Sequence, residues 1–188
     1  MYARAAGNLG PRASPKALVS FGDWATRNMG NTTGSCTFST SREIPATPEQ
    51  VFAALSNPER LARWWGPAGF TNTFSVCEFR NGGRWSFVMH GPDGGNYPNE
   101  SVFEEIEAPR KVVVQHVSEP RFRLTITLAS SAAGTTVSWV QVFESADVAR
   151  GIEHIVVPAN EQNLDRLSIE VLRCRSIESA GSAGPSSR

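Results

Sequence analysis

Apolar and polar residues alternate along most of the chain between Phe70 and Glu144. Phe122, Leu124, Ile126 and Leu128 take every second position, as do Val137, Trp139, Gln141 and Phe143 after a turn at Ala133-Gly134. A period of two marks strands with one buried face. Trp85, Phe87 and Met89 likewise share a face, opposite Arg84, Ser86, Val88 and His90. Phe74 and Val76 lead to Asn81-Gly82-Gly83, a hairpin signal, and Gly91-Pro92-Asp93-Gly94-Gly95 is the next turn. Further strands are expected over residues 101–107, ended by Ala108-Pro109, and over residues 112–117. A first strand is expected between Cys36 and Glu43, where β-prone residues also alternate.

The pattern changes in two places. Thr47-Pro48-Glu49-Gln50 is a helix start, with a capping threonine, a proline at the first helical position and a glutamine able to reach back. Val51, Phe52 and Leu55 supply its buried stripe. Asn57-Pro58-Glu59-Arg60 repeats the signal, so a second short helix carries Leu61, Trp64 and Trp65 and stops at Gly66-Pro67. Near the end of the chain, Asn160, Leu164, Leu167, Val171 and Cys174 recur at helical spacing. A long helix is expected from about Asp147 to Arg173, with Pro158 kinking it or beginning its main segment.

Composition narrows the possibilities. The 188 residues are 40% hydrophobic, enough for one domain with a substantial core plus tails. Eighteen basic and eighteen acidic side chains balance, which argues against a nucleic-acid binder working through a basic surface. No apolar run reaches the ~18 residues needed to span a bilayer. Cys36, Cys77 and Cys174 are odd in number and far apart, which suggests a reducing, cytoplasmic setting. Residues 1–33 are rich in Ala, Gly, Ser and Asn and nearly free of acids. They read as a disordered extension, or as sequence upstream of a start at Met29, in preference to an organelle transit peptide. Residues 175–188 read as a disordered tail, leaving residues 34–174 as the domain.

Several short stretches together resemble one superfamily. They are Arg42-Glu43-Ile44-Pro45-Ala46 leading into Pro48-Glu49-Gln50-Val51-Phe52, then Trp64-Trp65-Gly66-Pro67, Arg80-Asn81-Gly82-Gly83-Arg84-Trp85 and Met89-His90-Gly91-Pro92-Asp93-Gly94. Val157-Pro158-Ala159-Asn160-Glu161-Gln162-Asn163-Leu164-Asp165-Arg166-Leu167 follows. In this order they resemble the SRPBCC superfamily, which includes START and birch-pollen-allergen-like domains. Within it they resemble the group related to the C-terminal domain of the heat-shock-protein ATPase activators. The resemblance spans about residues 36–173. It implies an α+β helix-grip fold, a curved antiparallel sheet of six to seven strands wrapped around a long C-terminal helix, with two short helices after the first strand. It also implies a hydrophobic pocket, and no single reaction.

No hydrolase elbow, phosphate-cradling glycine loop or metal-ligand spacing is present in the sequence, and no cofactor is implied. The expected cavity wall comprises Trp65, Phe70, Trp85, Phe87 and Met89, with Phe103, Trp139, Phe143 and Leu164, although aromatic stripes also serve as plain core. Asn160, and Gln141 with it, is polar on an apolar face and needs a partner, either a ligand carbonyl or hydroxyl or a neighbouring backbone group. Glu78 shares strand parity with Phe74 and Val76. Pointing inward it would be a carboxylate of raised pKa, a candidate acid or base; pointing outward it would pair with Arg80 or Arg84. His90 is expected on the solvent side or in its hairpin, and His116 and His154 are scattered. Of the adjacent tryptophans, one should seal the helix pair against the sheet and the other border the cavity opening.

Three functions compete. The first is a module binding a hydrophobic small molecule between sheet and helix. The second is a cyclase- or hydratase-type enzyme, polyketide-cyclase-like, using Glu78 or a histidine. The third is a chaperone-ATPase interaction module, weakened because the chain lacks room for the extra N-terminal domain of the eukaryotic activators. Exposed strand edges make a homodimer compatible with any of them.

Overall fold

The computed structural model of the chain describes residues 36–181. The readings of residues 1–33, including a start at Met29, lie outside the described residues. Ten elements follow in order: β1 (Thr37–Ile44), α1 (Pro48–Ser56), α2 (Pro58–Trp64), β2 (Thr71–Cys77), β3 (Gly83–His90), β4 (Asn96–Glu107), β5 (Lys111–His116), β6 (Phe122–Ser131), β7 (Gly134–Phe143) and α3 (Ala146–Gly181). The strands form one antiparallel sheet in the order β1-β7-β6-β5-β4-β3-β2. β1 and β2 therefore occupy opposite edges, and α1 and α2 carry the chain across the sheet between them. The result is the α+β helix-grip arrangement, with a curved sheet around α3.

Both short helices start as their sequence dictates. Thr47 Oγ1 accepts from the Gln50 amide at 3.3 Å and Gln50 Oε1 accepts from the Thr47 amide at 3.1 Å. Asn57 Oδ1 accepts from the Arg60 amide at 3.0 Å. The stripes they present, Val51, Ala54, Leu55, Leu61 and Trp64, are buried against Leu164, Leu167 and Val171 of α3 and the inward residues of the sheet. Each fully buried leucine or valine contributes on the order of 2 kcal/mol of transfer free energy.

Two boundaries differ from expectation. β4 begins at Asn96, well before residue 101, despite Pro98. It pairs with β3 from Asn96 onward but with β5 only from Ser101, so Pro98 lies where β4 has a neighbour on one side and its missing N–H costs no ladder bond. α3 runs past Arg173 to Gly181, into the expected tail, and no proline intervenes before Pro185. Pro158 lies inside α3. Residues 182–188 lie outside the described residues. Among the described residues no helix is long and apolar enough to cross a membrane.

Candidate functional site

The space between the sheet and α3 is a cavity of about 370 Å³. The sheet contributes Phe87, Leu124, Trp139 and Phe143 to its wall, and α3 contributes Ile152, Val156 and Ala159. Trp65, Phe70, Met89 and Tyr97 complete it near the loop after α2 and the β3–β4 hairpin. Trp65 joins the aromatic groups: its ring centroid lies 4.7 Å from Trp85 and 5.5 Å from Trp139. Trp85 in turn stacks on Phe87 at 4.6 Å and Phe103 at 5.4 Å. Such pairs add to plain area burial and hold the wall rigid. The indole N–H groups of Trp85 and Trp139 are buried without a hydrogen-bond partner, a cost this packing absorbs.

Two adjacent tryptophans do different work because α2 ends between them. Trp64 is 1% exposed and its indole donates to the Ala54 carbonyl of α1 at 2.9 Å. Trp65 is the C-cap, in extended conformation, and so turns out of the helix into the cavity wall. Gly66 follows with φ of +95°, and a Cβ there would lie 2.6 Å from Met89 Cε. α3 grips this lip. Arg166 donates through Nη1 to the carbonyls of Gly66 and Pro67 at 2.8 and 2.7 Å, and through Nη2 to that of Arg63 at 2.7 Å. Asn163 Oδ1 accepts from the Gly66 amide at 2.7 Å, and Gln162 Oε1 from the Ala68 amide at 2.9 Å. The guanidinium thus satisfies the Arg63 carbonyl at the C-terminus of α2, where positive charge is favoured, together with carbonyls of the loop beyond it.

The wall also carries polar side chains. Asn160 Nδ2 donates to Gln141 Oε1 at 2.9 Å, so each buried amide finds its partner in the other. Ser101, 3% exposed, contributes a hydroxyl. His116 is buried and stacks flat on Phe122 at 4.5 Å. Its Nδ1 lies 2.9 Å from the Pro120 carbonyl oxygen, which can only accept, so Nδ1 carries the hydrogen. Its Nε2 lies 3.0 Å from Asn99 Oδ1 and 3.2 Å from Ser118 Oγ, whose hydroxyl can donate to it. Burial holds the ring's pKa below its ordinary value, against the smaller raising effects of the backbone groups of Pro120 and Ser118 and of the Glu119 charge.

The expected wall is only partly the observed one. Trp65, Phe70, Phe87, Met89, Trp139, Phe143 and Asn160 line the cavity; Trp85, Phe103 and Leu164 sit behind it in the packed core. Glu78 is not in the cavity. A bulge between Phe74 and Val76 reverses strand parity, so Cys77 pairs with the inward Trp85 and Val76 with Ser86. Glu78 then faces out, half-exposed, accepting from Arg80 Nη2 at 3.0 Å and the Arg84 amide at 3.1 Å. His90 stays in its hairpin, between Thr73 Oγ1 and Asn96 Oδ1. His116 and Ser101 were missed, yet His116 has the same parity as Val112 and Val114 on β5, which was signal enough. Among the described residues no group of three or more His, Cys, Asp or Glu side chains is placed to hold a metal ion.

The architecture recurs in solved structures. A protein from Arthrobacter aurescens is 25% identical, with TM-score 0.69 over 74% of this chain and 87% of the other. One from Nitrosomonas europaea is 19% identical, with TM-score 0.69 over 75% and 97%. An AHSA1-like protein from Aeromonas hydrophila is 21% identical, with TM-score 0.60 over 81% and 99%. A search of curated proteins finds no match. The family model described as activator of Hsp90 ATPase homolog 1-like protein matches residues 45–171, which include α1, the cavity wall and most of α3, and the chain belongs to that family.

Proposed function

We propose that the protein is a binding module for a hydrophobic small molecule held between the sheet and α3. One observation carries this: a cavity of about 370 Å³ whose wall is mainly aromatic and aliphatic. That volume lies within the range of small-molecule sites, which set polar groups into a mainly apolar wall. The wall offers poor acid–base chemistry, because Glu78 faces solvent and His116 donates through Nδ1 to the Pro120 carbonyl and accepts at Nε2 from the Ser118 hydroxyl. Cys36 and Cys77 are free thiols, half-buried, which supports a reducing, cytoplasmic setting. Native mass spectrometry of freshly purified protein tests the reading. The expected result is an added mass that is lost on denaturation; a bare chain that also fails to take up naphthalene overturns it.

The family's description favours a second reading, a module that contacts a chaperone ATPase. It predicts capture of purified Hsp90 by the immobilised chain and a changed rate of ATP hydrolysis. Unchanged hydrolysis at saturating protein would sink it.

A further inference from the structure

The Gln141–Asn160 pair is a feature that packing alone does not explain. Both side chains are 6% exposed and both line the cavity. Their mutual bond uses Asn160 Nδ2 and Gln141 Oε1. That leaves the Gln141 amide N–H₂ as donor and Asn160 Oδ1 as acceptor, with no protein group bonded to either. Turning both amides over exchanges the roles and leaves the same inventory, one donor and one acceptor side by side. Both atoms are open to the cavity and not sealed in the core, so the pair is complementary to a matching edge on a ligand.

Charge and shape restrict that ligand further. The ionised side chain in the wall is Glu119, 68% exposed at its margin and bonded to Arg121 at 3.2 Å. Nη1 and Nη2 of Arg166 near the lip are spent on backbone carbonyls. Nothing in the wall would neutralise a buried carboxylate or ammonium, whose desolvation would go uncompensated. Trp65 and Trp139 are already in contact at 5.5 Å between centroids, whereas inserting a ring between them needs roughly 7 Å. A ligand ring therefore lies against their shared surface.

We propose that the cavity takes an uncharged, ring-bearing molecule whose edge carries a donor and an acceptor side by side, as in a lactam or carboxamide, seated on Gln141 and Asn160. This rests on the apolar-binding reading above. The test titrates the whole protein, by quenching of tryptophan fluorescence, with three bicyclic probes of one size: naphthalene, 2-quinolone, which has the lactam edge, and 2-naphthoate, which is anionic. The expected order is 2-quinolone tighter than naphthalene by about tenfold or more, two made bonds at roughly 1 kcal/mol each, with 2-naphthoate weakest. The double variant Gln141→Leu/Asn160→Leu replaces both amides by apolar groups and should bring the 2-quinolone to naphthalene ratio to about one. If naphthalene binds and 2-quinolone binds no tighter, this inference fails while the broader reading stands. If 2-naphthoate binds tightest, the uncharged class is wrong. If none of the three binds, the apolar-binding reading itself fails. Should the double variant not fold by circular dichroism, the wild-type ranking alone decides.

Discussion

The Trp64 indole donates to the Ala54 carbonyl at 2.9 Å, across the junction of α1 and α2, while the next residue leaves the helix for the cavity wall. Fold and site are thereby divided between neighbours. Trp64→Phe keeps most of the apolar volume but strands a buried carbonyl, so it should cost about 2 kcal/mol of stability. Trp65→Ala should instead weaken naphthalene binding several-fold. Urea melts and probe titrations on both variants check the division; equal effects on both readouts would refute it.

Arg166 ties α3 to the lip through four carbonyls, those of Arg63, Gly66 and Pro67 and, at the longer distance of 3.4 Å, Trp65. Lysine keeps the charge but is a point donor and cannot span that fan. Arg166→Lys should therefore speed amide hydrogen exchange at Gly66 and Ala68, with a smaller effect on β5 and β6. Unaltered exchange at the lip would show that Asn163 and Gln162 hold it unaided.

Strands and caps were legible because each depends on a local pattern. Thr47 and Gln50, or Phe122 to Leu128, need only their near neighbours to declare themselves. For Glu78 the outward pairing with Arg80 was legible as one of two readings, but the bulge upstream that reverses the face of everything after it was not, because no side-chain pattern announces it. Pro98 misled for a related reason: whether proline is tolerated depends on which strand lies beside it. The split between cavity wall and solid core was also hidden. Trp85 and Phe87 have the same parity and differ in what packs in front of them: Trp65, just past the end of α2, lies against Trp85 at 4.7 Å, while Phe87 reaches the cavity.

His116 gives the protein a pH dependence near neutrality. Its pKa in the fold is lowered by burial, so below about pH 6.5 the unfolded chain binds a proton that the folded chain refuses. Stability is then fully present above that pH and falls as pH drops through it toward the folded value. His116→Phe preserves the stack on Phe122 but removes the titration. It should lower Tm overall yet flatten its slope between pH 7 and 5. An unchanged slope would refute the assignment to His116.

Glu170 supplies a second, more acidic transition with the same sign and a different cause. Its side chain is 5% exposed and meets Arg60 at 3.2 Å, Arg63 at 2.8 Å and Arg173 at 2.9 Å, which joins α2 to α3. Burial alone would raise its pKa; the hydrogen bonds from Arg63 and Arg60 outweigh it and hold the carboxyl below its ordinary value. The stability it contributes is complete above about pH 4.3, the unfolded value, and is lost as pH falls through the lower folded one. Glu170→Gln leaves the mostly buried Arg60 without its counter-charge and should cost about 3 kcal/mol at pH 7. Because Gln cannot titrate, the penalty should shrink steadily below pH 4. Pairing Glu170→Leu with Arg60→Leu removes both buried charges and should recover part of the loss. Urea midpoints for the three proteins at pH 7 and pH 3.5 decide the matter, and a Glu170→Gln penalty that does not depend on pH would mean the carboxylate acts through its shape and not its charge.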